Sequence, residues 1–121
     1  MLKYFLVIFF MLSNSAIAEK KLEEIPKLFH GTWDTSNEAC IQPSSDMRME
    51  IEARVVRYWE SQGQVTRVNV ENERKLNITF SISGEGESWE SFKQFELNTA
   101  NNTLTINTLE GQQLSKRVRC K

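Results

Sequence analysis

From Lys75 to Ser83 the chain alternates strictly: Leu76, Ile78, Phe80 and Ile82 on one parity, and Asn77, Thr79, Ser81 and Ser83 on the other. A period of two places all four apolar side chains on one face of a strand and leaves the other face wet. The same pattern starts at Met47, where Met47, Met49, Ile51 and Ala53 oppose Arg48, Glu50, Glu52 and Arg54. It returns in Val55 to Trp59, in Thr66, Val68 and Val70, in the aromatic run Trp89 to Leu97, in Leu104 and Ile106, and in Leu114, Val118 and Cys120. Turn residues separate these runs: Gly63, Asn72-Glu73-Arg74, Gly84-Glu85-Gly86-Glu87, Thr99 to Asn102, and Glu110-Gly111. With Gly31–Thr35 as a first strand, the pattern predicts about eight short strands, with turns every 8–12 residues. Beyond one N-terminal turn it predicts no helix.

Neighbouring strands joined by short turns pair as an antiparallel meander, and a meander protects its edges by closing on itself. The expected fold class is therefore all-β, an antiparallel up-and-down β-barrel, with a two-sheet β-sandwich as the alternative. Asp34 to Asp46 reads as a long polar loop pinned by Cys40, and Ile25 to Phe29 as a single helical or 3₁₀ turn that lays Leu28 and Phe29 on the core.

The first 18 residues read as a leader. Lys3 precedes the apolar run Tyr4 to Leu12, and Ala16-Ile17-Ala18 sets small residues for cleavage before Glu19. A run of nine apolar residues is far short of the roughly 20 needed to span a bilayer as a helix, so no stable membrane anchor is expected. The domains expected are a signal peptide over 1–18, an N-terminal tail with a short turn over 19–30, and one barrel over 31–121. Localisation is then periplasmic or secreted. In such a compartment Cys40 and Cys120 most simply form one intramolecular disulfide.

Without Lys3, fourteen basic residues face sixteen acidic ones. Both signs are mixed along the chain, so there is no footprint for nucleic acid. His30 is the only histidine and the cysteines are engaged, so no metal site and no cofactor are expected. A nucleophile–His site would have to use His30, beside a turn glycine, and an ordinary satisfied histidine is the simpler reading. The chain is not expected to be an enzyme.

Gly31-Thr32-Trp33 resembles the Gly-x-Trp that opens the first strand in the lipocalin/calycin group. That resemblance implies a 3₁₀ turn before the strand and a basic residue of the last strand, Arg117 or Arg119, packed over Trp33. The frame Phe-x-Gly-x-Trp, Cys, Trp-Glu-Ser-x-Gly, Gly-Glu-Gly-Glu-x-Trp and Arg-x-Arg-Cys further resembles small exported proteobacterial proteins, which implies a fold and a compartment. Compact eight-stranded barrels of this kind include periplasmic inhibitors of proteases and of lysozyme. The chain is shorter than a typical lipocalin, and strands of six to nine residues enclose little space.

The expected role is binding by a monomer. The first possibility is a small apolar molecule held in the barrel. The second is an exported protein recognised through the Glu85–Trp89 loop, with Glu85, Glu87 and Trp89 as binding residues and Trp59 at a neighbouring rim. Glu90 belongs to the same acidic run. A structural envelope protein with no specific ligand is the third.

Overall fold

The structure is a computed structural model that describes residues 20–121. The expected leader, residues 1–18, lies outside the described residues. The described residues form nine strands: β1 (Lys20–Leu22), β2 (Gly31–Asp34), β3 (Met49–Ile51), β4 (Val55–Arg57), β5 (Gln62–Asn72), β6 (Lys75–Gly84), β7 (Glu87–Leu97), β8 (Thr103–Asn107) and β9 (Gln113–Arg119). A 3₁₀ turn covers Lys27–Phe29, and a single α-turn, α1, covers Asn37–Cys40. From β2 to β9 each strand pairs antiparallel with the next. The seam closes where Trp33 pairs with Arg119 and Asp34 with Val118. The fold is thus a closed eight-stranded antiparallel barrel with one extra strand, and the sandwich alternative falls.

The extra strand, β1, comes from the tail. It pairs with Val68–Val70 of β5, on the edge that β4 uses over Gln62–Gln64. A three-residue β4 cannot cover an eleven-residue β5, and β1 takes up three of the residues that β4 leaves. A similar mismatch is left open elsewhere. β7 pairs with β6 along its whole length, but with β8 only over Gln94–Leu97. Among the described residues, Glu87–Lys93 therefore has no strand on its second side.

The interior is filled by side chains. Trp33, Phe29, Phe80, Phe95, Ile25, Met49, Ile51, Leu76, Ile78 and Leu104 are all fully buried. Gly63 belongs to this packing, because a Cβ there would meet the Phe80 ring at 3.1 Å. The clean alternation of β6 holds as expected. Elsewhere the structure corrects the expected faces. Met47 is half-exposed and lies before β3, so only Met49 and Ile51 of that run enter the core. In β5 an irregularity between Val65 and Arg67 shifts the register, so Val65 and Val68 both face inward opposite Phe80 and Ile78, while Thr66 is exposed. In β9, Arg117 lies opposite the buried Leu104, so the inward parity belongs to Arg117 and Arg119 rather than to Leu114 and Val118. Leu28 is exposed, and Ile25 takes the core position beside Phe29.

Because strands alternate in direction, the loops fall at two ends. The floor holds the 3₁₀ turn and the β7–β8 connection. The rim holds the β2–β3 loop and the β4–β5, β6–β7 and β8–β9 turns. At the floor the Trp33 Nε1 donates to the Phe29 carbonyl at 3.1 Å. The Arg119 guanidinium lies 4.3 Å from the Trp33 ring and donates to the carbonyls of Leu28, His30 and Asn101. Arg119, not Arg117, is the cation over Trp33. It ties three segments across the barrel floor, which a planar fork of donors does better than an ammonium.

The β2–β3 loop is held from beneath. Asp34 is fully buried on the outer face and accepts hydrogen bonds from the Thr35 amide, the Ser45 hydroxyl and Arg48 Nε. The Arg48 Nη2 donates to the carbonyls of Ala39 and Gln42. Ser36 caps α1 by accepting from the Ala39 amide. The Cys40–Cys120 disulfide then fastens the loop to the chain end, with Cα atoms 5.4 Å apart.

Candidate functional site

Four of the expected binding residues meet at the rim. The β6–β7 turn has two central residues, Glu85 (φ 50°) and Gly86 (φ 81°), both in the left-handed region that tight two-residue hairpins require. The turn lifts Glu85 and Glu87 to the tip. Trp89 pairs with Ile82, so it continues the inward column of β7 past the end of the core. Ile82 is the last core residue of β6, and the Trp89 side chain beside it is 49% exposed.

The β4–β5 turn stands beside this hairpin. The Tyr58 amide donates to the Ser61 carbonyl at 2.8 Å, which leaves Trp59 and Glu60 as its central residues. Trp59 is 53% exposed. The two turns touch at Gly84, where a Cβ would lie 2.7 Å from the Glu60 carbonyl oxygen and 2.8 Å from Ser61 Cβ. Only a residue without a side chain allows that approach.

The contact shapes a groove of about 270 Å³ lined by Glu60, Ser61, Gly84, Glu85, Glu87 and Trp89. An adjoining groove of about 350 Å³ runs along Arg57, Tyr58, Trp59 and Gln62. Three carboxylates and two half-exposed indoles therefore share one end of the barrel. Glu60 is the member that sequence reasoning passed over. It follows Trp59 in the turn, which closes before Gly63 (a strand residue of β5, not the expected turn glycine), and only the contact at Gly84 brings it to the hairpin. Glu90 does not join the groove, because it faces outward opposite Ser81.

Behind the rim the environment turns polar. Arg117 is only 7% exposed, and its Nε donates to the Met47 carbonyl at 2.9 Å. Burial pulls its guanidinium below the ordinary range, while Asp34 and Tyr58 pull it back up. Burial pushes the Tyr58 hydroxyl up to about 12 against the opposing attraction of Arg117. Burial alone would raise the Asp34 carboxyl, but its bonds to Thr35, Ser45 and Arg48 outweigh this and hold it below the usual range.

The remaining candidates lie elsewhere. Gly31, Trp33 and Arg119 build the floor, and Cys40 and Cys120 form the disulfide beside the seam. His30 is half-buried, and its Nε2 lies 2.7 Å from the Ile25 carbonyl, on the floor side. Among the described residues, no three His, Cys, Asp or Glu side chains gather to hold a metal ion. No described helix is long and apolar enough to cross a membrane. The closed barrel fits a lipocalin/calycin-like architecture. Comparison with protein-family models, with curated proteins and with solved structures returned no match.

Proposed function

We propose that this protein is a non-enzymatic binding protein of an oxidising compartment, and that it recognises a cationic protein surface with its rim. The observation that carries the reading is the pair Trp59 and Trp89, half-exposed beside Glu60, Glu85 and Glu87 over a filled barrel. Partly exposed indoles serve as anchors when a partner covers them. Carboxylates around them speed the encounter with a basic partner more than they deepen the final affinity. An exported enzyme with a basic surface, such as a lysozyme, has the right chemistry.

The packed interior weighs against carriage of a small apolar molecule, which calls for an enclosed apolar space of about 300 Å³ or more. The grooves described above are open surface features. The disulfide supports export, since such bonds persist where thiols are not kept reduced.

The reading is tested by surface-binding kinetics of the purified chain against a panel of lysozymes and basic exported proteases. Trp89→Ala is expected to raise the dissociation rate by about tenfold or more, as loss of an interface anchor does. Replacing Glu60, Glu85 and Glu87 by Gln is expected to slow association and flatten its salt dependence. Binding that ignores both changes, or its absence across the panel, would remove the rim as the recognition surface.

A further inference from the structure

The free edge of β7 runs from Glu87 to Lys93. In a two-residue hairpin the closing pair, here Gly84 and Glu87, exchanges backbone hydrogen bonds, and the phase alternates from there. Odd-numbered residues of β7 thus turn their backbone groups to β6. Ser88, Glu90 and Phe92 turn theirs outward. The far end of the strand keeps the same phase: the Leu97 amide bonds the Arg74 carbonyl on the β6 side, and the Asn98 amide bonds the Thr103 carbonyl on the β8 side. Three amides and three carbonyls therefore face away from the sheet in a row. Such an edge is a template for another strand.

Two features restrict what can pair there. Lys93 lies on the inward face opposite Ile78, half-buried, with its Nζ on the Ser91 hydroxyl at 2.8 Å. Among the described residues it has no carboxylate within ion-pair distance. An inward charge on an edge strand rejects any strand that lays an apolar residue across from it. Glu87 sits six residues earlier on the same face, so the edge carries both members of an ion pair.

We propose that two copies of this chain associate by antiparallel pairing of the β7 edges about a two-fold axis at Glu90. In that register Glu87 of each copy faces Lys93 of the other, and Ser88 faces Phe92. All three outward-facing residues of each edge find partners. Centring on Ser91 would strand the outward groups of Ser88 and set Lys93 against Trp89. Centring on Trp89 would carry Lys93 past the strand, onto the turn. The two Glu90 side chains meet across the axis, and their repulsion keeps the pairing weak. A seven-residue strand pair also buries less than a standard stable interface, so the association is reversible and concentration-dependent. This departs from the monomer expected from sequence.

Sedimentation equilibrium of the full purified chain, from micromolar to millimolar concentration at low salt, tests it. No other protein is present, so this proposal and the rim reading can fail separately although both use Glu87 and Trp89. Each charge reversal changes two symmetry-related pairs, so Glu87→Lys and Lys93→Glu are each expected to weaken the dimer about tenfold. The double reversal is expected to restore it, and Glu90→Gln to tighten it. Amide exchange at Ser88, Glu90 and Phe92 is expected to slow as concentration rises. A monomer at millimolar concentration, a dimer indifferent to both reversals, or protection confined to another strand would each overturn the proposal. Circular dichroism and an intact disulfide in every variant exclude misfolding as the cause.

Discussion

Asp34 illustrates how one carboxylate can organise a loop. It is buried under residues that its own hydrogen bonds hold in place. Its ionised form is favoured in the fold, so the linked stability is fully present above the unfolded value near 3.9 and is lost as pH falls through the lower folded value. Asp34→Asn leaves Arg48 partly buried without its counter-charge. It is expected to cost about 3 kcal/mol in denaturant unfolding and to flatten the acid limb of the stability profile. The sequence shows Asp34 only as the first residue of a polar loop. Its role depends on Arg48, fourteen positions on, which alternation assigns merely to a wet face.

At the scale of elements, strict alternation was legible along β6 but only in part at β3, where Met47 falls outside the strand, and interrupted strands were not legible. β6 follows its pattern from end to end. β5 does not, because the irregularity after Val65 lets two valines three residues apart face the same side, which no period of two anticipates. β9 misleads for another reason. Its inward positions carry Arg117 and Arg119, whose charges are absorbed by backbone carbonyls and the Trp33 ring. Apolar parity therefore points to the wrong face. A row of side-chain amides, two of them buried, is equally silent in sequence: Gln94 donates to Asn77, and Asn107 to Gln94, across the outside of three strands. The rim was partly legible, since Trp59, Glu85, Glu87 and Trp89 all stand at strand ends or turns. Their meeting was not, because it depends on Gly84. Gly84→Ala is expected to push the β4–β5 turn away, destabilise the chain by about 1–3 kcal/mol and shift the Trp59 fluorescence toward that of a solvated indole. An unchanged spectrum and stability would mean that the two turns do not bear on each other.

For the whole molecule, one disulfide spans 80 residues. In the chain-entropy model a loop of that length contributes about 4–5 kcal/mol, comparable with the entire stability of a small domain. Cys40→Ser with Cys120→Ser is expected to lower the unfolding free energy by about that amount, with the far-ultraviolet spectrum retained at low temperature. Closure of the barrel was legible from strand number and turn spacing. Which strand would be left over was not, since β1 is three residues of a charged tail.

The seam between β2 and β9 also governs time. The first strand of the barrel cannot pair on its outer side until the last one exists, and Cys40 finds its partner 80 residues further on. Contacts this distant in sequence make folding slow, on the order of milliseconds to seconds for closed β topologies. A chain that emerges from its N-terminus must therefore wait, open and reduced, until Arg119 and Cys120 arrive.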